Sequence, residues 1–262
     1  MAEGSGVRIT GRKRARRAGA DADGMDAFLH WSPELQKARV YEQILLDIIL
    51  GELPPGGRLD EQALTRRYDA GLAGVRDALG RLALEGLVIR KARAGTTVAP
   101  LDIIELRQAF EARTLIEPHC AALAARHASS EDLADLAHAF DGAADAIRRR
   151  DCRALVAMDQ RFHAAIARAS RNATLARIII PLQHKAARFW IYSMGDDTEE
   201  EKIEEIGRHV AVAECIAQGD AERAQSMMRE VLGTFSDNMR RAAMGIASGA
   251  PRPPGWPESK AG

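Results

Sequence analysis

The sequence predicts a mostly α-helical chain interrupted once, near residue 90, by a short β-hairpin. Three observations carry that expectation. Hydrophobic residues make up 46% of the chain but aromatic residues only 5%, and Ala, Arg, Leu and Glu abound, a mixture that favours helices. Apolar residues recur at helical spacing along most of the length. β-prone runs are confined to residues 87–89 and 96–98, on either side of a basic, glycine-containing turn.

The elements follow in order. Residues 1–30 are rich in Gly, Ala, Arg and Asp without an apolar period, and read as a flexible basic tail. In ARVYEQILLDIILGEL, Val40, Ile44, Leu45, Ile48 and Ile49 fall on one face of a helix, which Pro54 and Pro55 are expected to stop. Asp60 is placed to cap a short second helix, EQALTRRY, by accepting from its free N–H groups. After a turn at residues 69–71, Val75, Ala78, Leu79 and Leu82 mark a third helix, ended by Gly86. The hairpin comes next. Three short helices and a hairpin make a winged helix-turn-helix over residues 31–100.

From residue 101 to 247 there is no strand pattern. About six amphipathic segments are separated by breaks at residues 127–130, 149–152, 170–174, 195–198 and 218–220. The run SSED at 129–132 has the form of a capping box, with Asp in place of Glu. Asn172 reads as a cap or turn residue. Pro181 is expected to kink its helix or start it afresh. This half reads as an all-α bundle. The Pro- and Gly-rich residues 248–262 read as a disordered tail.

Composition narrows the function classes. No apolar run of 18 residues is free of charge, so no membrane span is expected. The basic N-terminal cluster has no apolar segment after it and is not a secretory signal. Cys120, Cys152 and Cys215 are odd in number and lack metal-type spacing, which suits reduced thiols in a cytoplasm. Net charge is zero, but residues 1–100 carry 16 Lys and Arg against 13 Asp and Glu, while residues 101–248 carry 19 against 23. That asymmetry allows an anionic partner at the N-terminal end.

Two stretches carry a family resemblance. VYEQILLDIILGELPPGGRLDEQAL followed by VRDALGRLALEGLV resembles the DNA-binding domain of the GntR family of bacterial transcription regulators. ELRQAFEARTLIEPHCAALAAR, DQRFHAAIARASRN and GRHVAVAECIAQGDAERAQSMM, in that order, resemble the FCD-type effector domain of the FadR subfamily. The resemblance implies a homodimer that binds a palindromic double-stranded operator through two winged domains, with half-site spacing set by the two-fold. It also implies a small carboxylic acid effector in the helical domain.

The resemblance further assigns residues. Family members usually start the recognition helix with a Ser-Arg-Thr-Pro-type run, where this chain has Gly71, Leu72, Ala73 and Gly74. An arginine can read guanine bidentately, and first-turn hydroxyls cap N–H groups and bind phosphate; leucine and glycine do neither. Arg76 matches the arginine of the family's Val-Arg-Glu-Ala-Leu motif. Arg58, Arg66 and Arg67 precede the helix, and Arg90, Lys91 and Arg93 flank the wing. Each of these is a DNA contact or a solvated surface arginine or lysine. Arg81 is expected to pair with a nearby acid. Phosphate grip is thus expected to survive with base readout reduced or altered. The tail GRKRARR, residues 11–17, is either a minor-groove arm or a solubilising segment.

In the helical half, Asp159 and His163 are four residues apart and share a helix face. The resemblance adds His209, making a three-ligand site for a divalent metal such as zinc, nickel or manganese. The family motif ends in a further histidine, where this chain has Val231, and valine cannot ligate. Water or an effector carboxylate would complete the shell, as in an open site. The other reading is a polar helical pair with a cap or core histidine. Arg113 matches a family arginine that faces the pocket and suits a carboxylate; alternatively it pairs with Glu117 in its own helix. His119, His127, His138 and His184 read as structural or surface residues. Two other functions stay open: a regulator without specific base readout that acts through a partner, and a metal-dependent enzyme built on two histidines and a carboxylate. No nucleophile or cofactor motif supports the enzyme.

Overall fold

The computed structural model describes residues 33–93, 95–193 and 198–243. Both predicted tails, the GRKRARR arm within the first, and most of the break at 195–198 lie outside them. Three helices open the described chain: α1 (Pro33–Ile49), α2 (Glu61–Arg67) and α3 (Leu72–Leu84). The hairpin β1 (Val88–Lys91) and β2 (Gly95–Val98) follows, antiparallel, with Val88 opposite Val98 and Lys91 opposite Gly95. Seven helices complete it: α4 (Ile103–His127), α5 (Ser130–Ala137), α6 (Ala143–Arg148), α7 (Cys152–Ala169), α8 (Ala173–Ser193), α9 (Glu199–Ala217) and α10 (Ala221–Ala243). The mostly α fold, with a winged helix-turn-helix ahead of a helical bundle, is as expected.

Local chemistry sets the boundaries. Asp60 caps α2 by accepting from the Ala63 N–H at 2.7 Å. Gly86 takes φ +78 after α3, so that Leu87 N–H reaches the Leu82 carbonyl and Gly86 N–H the Ala83 carbonyl, the paired closing bonds of a left-handed helix end. Ser129 and Asp132 form the capping box of α5, and Asn172 Oδ1 accepts from Leu175 N–H at 3.1 Å.

Four expectations shift in detail. α1 ends before Gly51, at φ +75, and not at Pro54. The paired strands extend beyond the β-prone residues, to Lys91 and Gly95. The segment read as one helix between residues 130 and 149 divides into α5 and α6 at Gly142, which adopts φ +83. α8 runs unbroken from Ala173 to Ser193 with Pro181 inside it, so the proline does not start a new helix.

The buried apolar side chains form two main clusters. One joins Val40, Ile44, Ile48, Leu64, Val75, Leu79, Leu82, Leu87 and Val98 of the winged part. It also includes Val156 of α7 and Ala187 of α8, so the winged core continues into the helical bundle. The other lies within the bundle, around Phe162, Ile166, Val212, Ile216, Met228 and Leu232.

Candidate functional site

Helix periodicity places Asp159 and His163 on one face of α7, and α9 brings His209 against them. The three offer ligand atoms that all lie within 4.8 Å of one another. His163 Nε2 and His209 Nε2 each lie 3.5 Å from Asp159 Oδ1. Ligand bonds of about 2.1 Å at tetrahedral angles put neighbouring donor atoms about 3.4 Å apart, so this spacing fits a small divalent cation. Both imidazoles are buried, 3% exposed.

The far side of each ring is engaged. His209 Nδ1 lies 2.8 Å from the Glu205 carbonyl, and His163 Nδ1 lies 2.7 Å from Glu117 Oε2. The Glu205 carbonyl orients His209 as outer-shell partners orient ligating histidines, while Glu117 stands in ion-pair contact with His163 without hydrogen-bond geometry; both Nε2 atoms remain for the metal position. Phe162 stands edge-on to both rings, with centroids 5.5 and 5.4 Å away, and excludes water on that side.

The cluster is strongly polarised. Burial works against charge on Glu117, but Arg113 and His163 outweigh it and hold this carboxyl down at about 2. Burial works against a charged His163 as well, but Glu117 and Asp159 prevail and lift it to about 9. Burial is likewise overcome at Asp159, whose carboxyl sits well below its usual range beside His163 and His209. A ligating imidazole must be neutral, so a cation held by these residues would displace this proton.

Two small cavities, each of about 20 Å³, flank the cluster and share Asp159, Glu205 and His209. The first is lined further by Phe140, Leu155, Ile206 and Lys202. The second is reached by Arg113, Gln160, His163, Ala187 and Val231. Val231 therefore stands at the ligand cluster. Arg113 is 7% exposed and donates through Nε to Glu117 Oε1. Arg113 thus pairs within its helix and also lines the cavity.

In the winged part, α3 starts at Gly71 without a side-chain cap. Arg76 is exposed and donates through Nε to Glu61 Oε2 at 2.7 Å. Arg58, beside Gly95 of the wing, and Arg66, Lys91 and Arg93 are exposed and, among the described residues, pair with no acid. Arg67 is placed differently. It bonds Asp47 and Glu52, so its guanidinium is committed to holding α2 on α1. Arg81 pairs with Glu85 at 3.2 Å and stacks over Tyr41.

Sequence reasoning missed the seam between the two parts. His184 Nδ1 of α8 lies 2.9 Å from Glu85 Oε2, and Tyr41 donates to the same carboxylate at 2.8 Å. Arg188 donates to the Ala99 carbonyl. Arg153 at the start of α7 bonds Asp47 and Glu52. Such pairings join residues as far as 143 positions apart, and no local pattern announces them.

Residues 36–98 match the bacterial regulatory proteins of the gntR family, and residues 108–234 match the FCD domain. The chain is a regulator of the GntR family. It is 29% identical over 216 residues to the HTH-type transcriptional repressor GlaR of Escherichia coli (strain K12), covering 78% of this chain and 96% of that protein. It is 25% identical over 200 residues to a probable D-xylose utilization operon transcriptional repressor of Paenarthrobacter nicotinovorans, covering 76% and 86%. The matched domains and these relatives are those of regulators and not of enzymes.

Solved GntR-type structures share the fold. E. coli McbR/YncC superposes with a TM-score of 0.66 at 21% identity, over 79% of this chain and 98% of that one. A putative transcriptional regulator GntR from Rhodococcus sp. RHA1 gives 0.59 at 21% identity, over 78% and 97%. In this GntR-family chain the polar cluster of the FCD domain and the arginines of the winged domain lie on parts joined by α7 and α8. Among the described residues no helix is long and apolar enough to cross a membrane.

Proposed function

We propose that the chain is a ligand-responsive transcription regulator of the FadR type, acting in the cytoplasm as a homodimer on a palindromic DNA operator. Asp159, His163 and His209 hold a divalent ion, zinc, nickel or manganese. A small carboxylate effector completes its shell, and Arg113 grips that effector from the side. Arg76, with Arg58, Arg66, Lys91 and Arg93, meets the DNA. Arg67 was expected in that set, but its bonds to Asp47 and Glu52 give it a structural role instead.

The observation that carries this reading is the convergence of two imidazole Nε2 atoms on one carboxylate oxygen, with both Nδ1 atoms engaged behind them. A polar helical pair and a core histidine would not need that convergence. The cavity that this cluster shares with Arg113, about 20 Å³, holds a water or a bare ion, so a carboxylate effector widens it on entering.

The test compares DNA binding by the chelator-treated protein with binding by the same protein reloaded with zinc, nickel or manganese. At least one ion should bind near one per chain and shift DNA affinity by about fivefold or more. Binding of no ion, or identical DNA affinity in every state, would remove the metal from the regulatory role. The DNA-binding role itself is judged separately, by whether any state binds.

A further inference from the structure

With no side-chain donor at the first turn of α3, the winged domain needs another way to read bases. Three elements converge beside that turn. Glu61 is the first residue of α2, behind its Asp60 cap, where a carboxylate is favoured by the helix N-terminus. Its Oε2 takes Arg76 Nε of α3 at 2.7 Å, and its Oε1 lies 3.5 Å from Arg90 Nη2 of β1. Arg90 lies along α3 one turn after Arg76, where a Cβ added at Gly80 would stand in ordinary contact, 3.6 Å from Arg90 Nη1. Glu61 is the more buried partner, its side chain 25% exposed against 59% for Arg76 and 42% for Arg90.

We propose that Glu61 is the positioning residue of the DNA interface, fixing Arg76 and Arg90 so that Arg76 reads a guanine in each half-site. The inference rests on the DNA-binding role proposed above. Holding Arg76 by Nε restrains the plane of its guanidinium and, among the described residues, leaves both Nη groups without an acid partner. Those two groups are the pair that meets guanine O6 and N7 bidentately. An arginine fixed beforehand loses less side-chain entropy on binding than a free one. The same carboxylate faces incoming phosphates and repels them. Glu61 thus lowers general DNA affinity while sharpening base preference, and this opposition separates it from a stabilising surface ion pair. It also means that the base-reading function lost at residues 71–74 has moved one turn along the helix.

The experiment selects wild-type protein, Glu61→Gln and Arg76→Lys against a random pool of double-stranded DNA, then measures each against the enriched sequence and a scrambled duplex. Wild type should enrich a two-fold motif with a guanine at one position in each half. Glu61→Gln should bind scrambled DNA at least as tightly as wild type, while its preference for the motif falls about tenfold. Arg76→Lys should lose the guanine and keep phosphate binding, because lysine cannot make the bidentate contact. Enrichment of the same motif to the same degree by Glu61→Gln would overturn the proposal. So would an equal loss on motif and scrambled DNA, which marks a purely structural residue. If wild type binds DNA but enriches nothing, base readout itself fails; if wild type does not bind DNA, the DNA-binding role fails.

Discussion

Arg153, in the first turn of α7, bonds Asp47 of α1 across the seam between the helical and winged parts. Asp47 is 2% exposed and also accepts from Arg67 and from the Tyr68 hydroxyl at 2.6 Å. Val156, one turn further along α7, is buried in the winged core, and the next turn carries Asp159, Gln160 and His163. One rigid helix therefore touches both the DNA-binding domain and the proposed ligand cluster.

Arg153→Ala should loosen this joint without unfolding either part. Asp47 keeps Arg67 and Tyr68, so it is not left as an unpaired buried charge, and the cost is about 1 kcal/mol. Asp47→Ala leaves both arginines with Glu52 alone and the Tyr68 hydroxyl without its acceptor, and should cost about 2 kcal/mol. Denaturant unfolding separates the two. Hydrogen exchange in α2 should rise in Arg153→Ala; unchanged exchange there would show that this contact does not hold the domains together.

Val231 lines the cavity beside His209 and His163, at the position where the resembling family has a histidine. Val231→His should add a fourth ligand and raise zinc affinity about tenfold or more. Isothermal titration reads this directly. Equal affinity in the two proteins would place the α10 side chain out of reach of the ion.

Glu85 ties Tyr41, Arg81 and His184 at the seam, and those partners hold its carboxyl below the ordinary 4.5 although burial pushes the other way. A carboxyl with a depressed folded value stabilises above its unfolded value and loses that contribution as pH falls through the folded one. Thermal stability should therefore drop as pH falls below about 4.5. Glu85→Gln should be less stable than wild type at pH 7 and should flatten part of the acid-side drop. The same acid-side slope in both proteins would exclude Glu85 as its source.

Gly74 lies inside α3, and a Cβ there would meet nothing within 4 Å. Gly74→Ala should stabilise the winged domain by about 0.5–1 kcal/mol, by reducing the entropy lost when the helix forms. A loss of stability in denaturant unfolding would show that the position is constrained in a way the helix geometry does not reveal.

Local chemistry made most of the fold legible. The Asp60 cap, the Ser129–Asp132 box and the Gly86 stop are short-range hydrogen-bond patterns, and periodicity located the long helices. The break at Gly142 escaped notice because a single glycine between two polar turns resembles a tolerated helical glycine. The ligand cluster was half legible: Asp159 and His163 share a helix face by spacing, whereas His209 came through the family resemblance. Glu205, Glu61 and His184 were not legible, because their partners lie on other elements or, at Glu205, involve a backbone carbonyl; Glu117 was legible as the partner of Arg113 but not of His163 on α7. Arg67 was misplaced for the same reason: nothing local distinguishes an arginine facing DNA from one paired with a buried Asp47.

The most direct measurement is binding of the purified protein to the DNA upstream of its own gene and to a scrambled duplex of equal length, across a salt series. A reader of bases prefers the native duplex, and that preference persists as salt rises. Equal binding to both duplexes that collapses with salt would contradict the account, because phosphate contacts alone produce it.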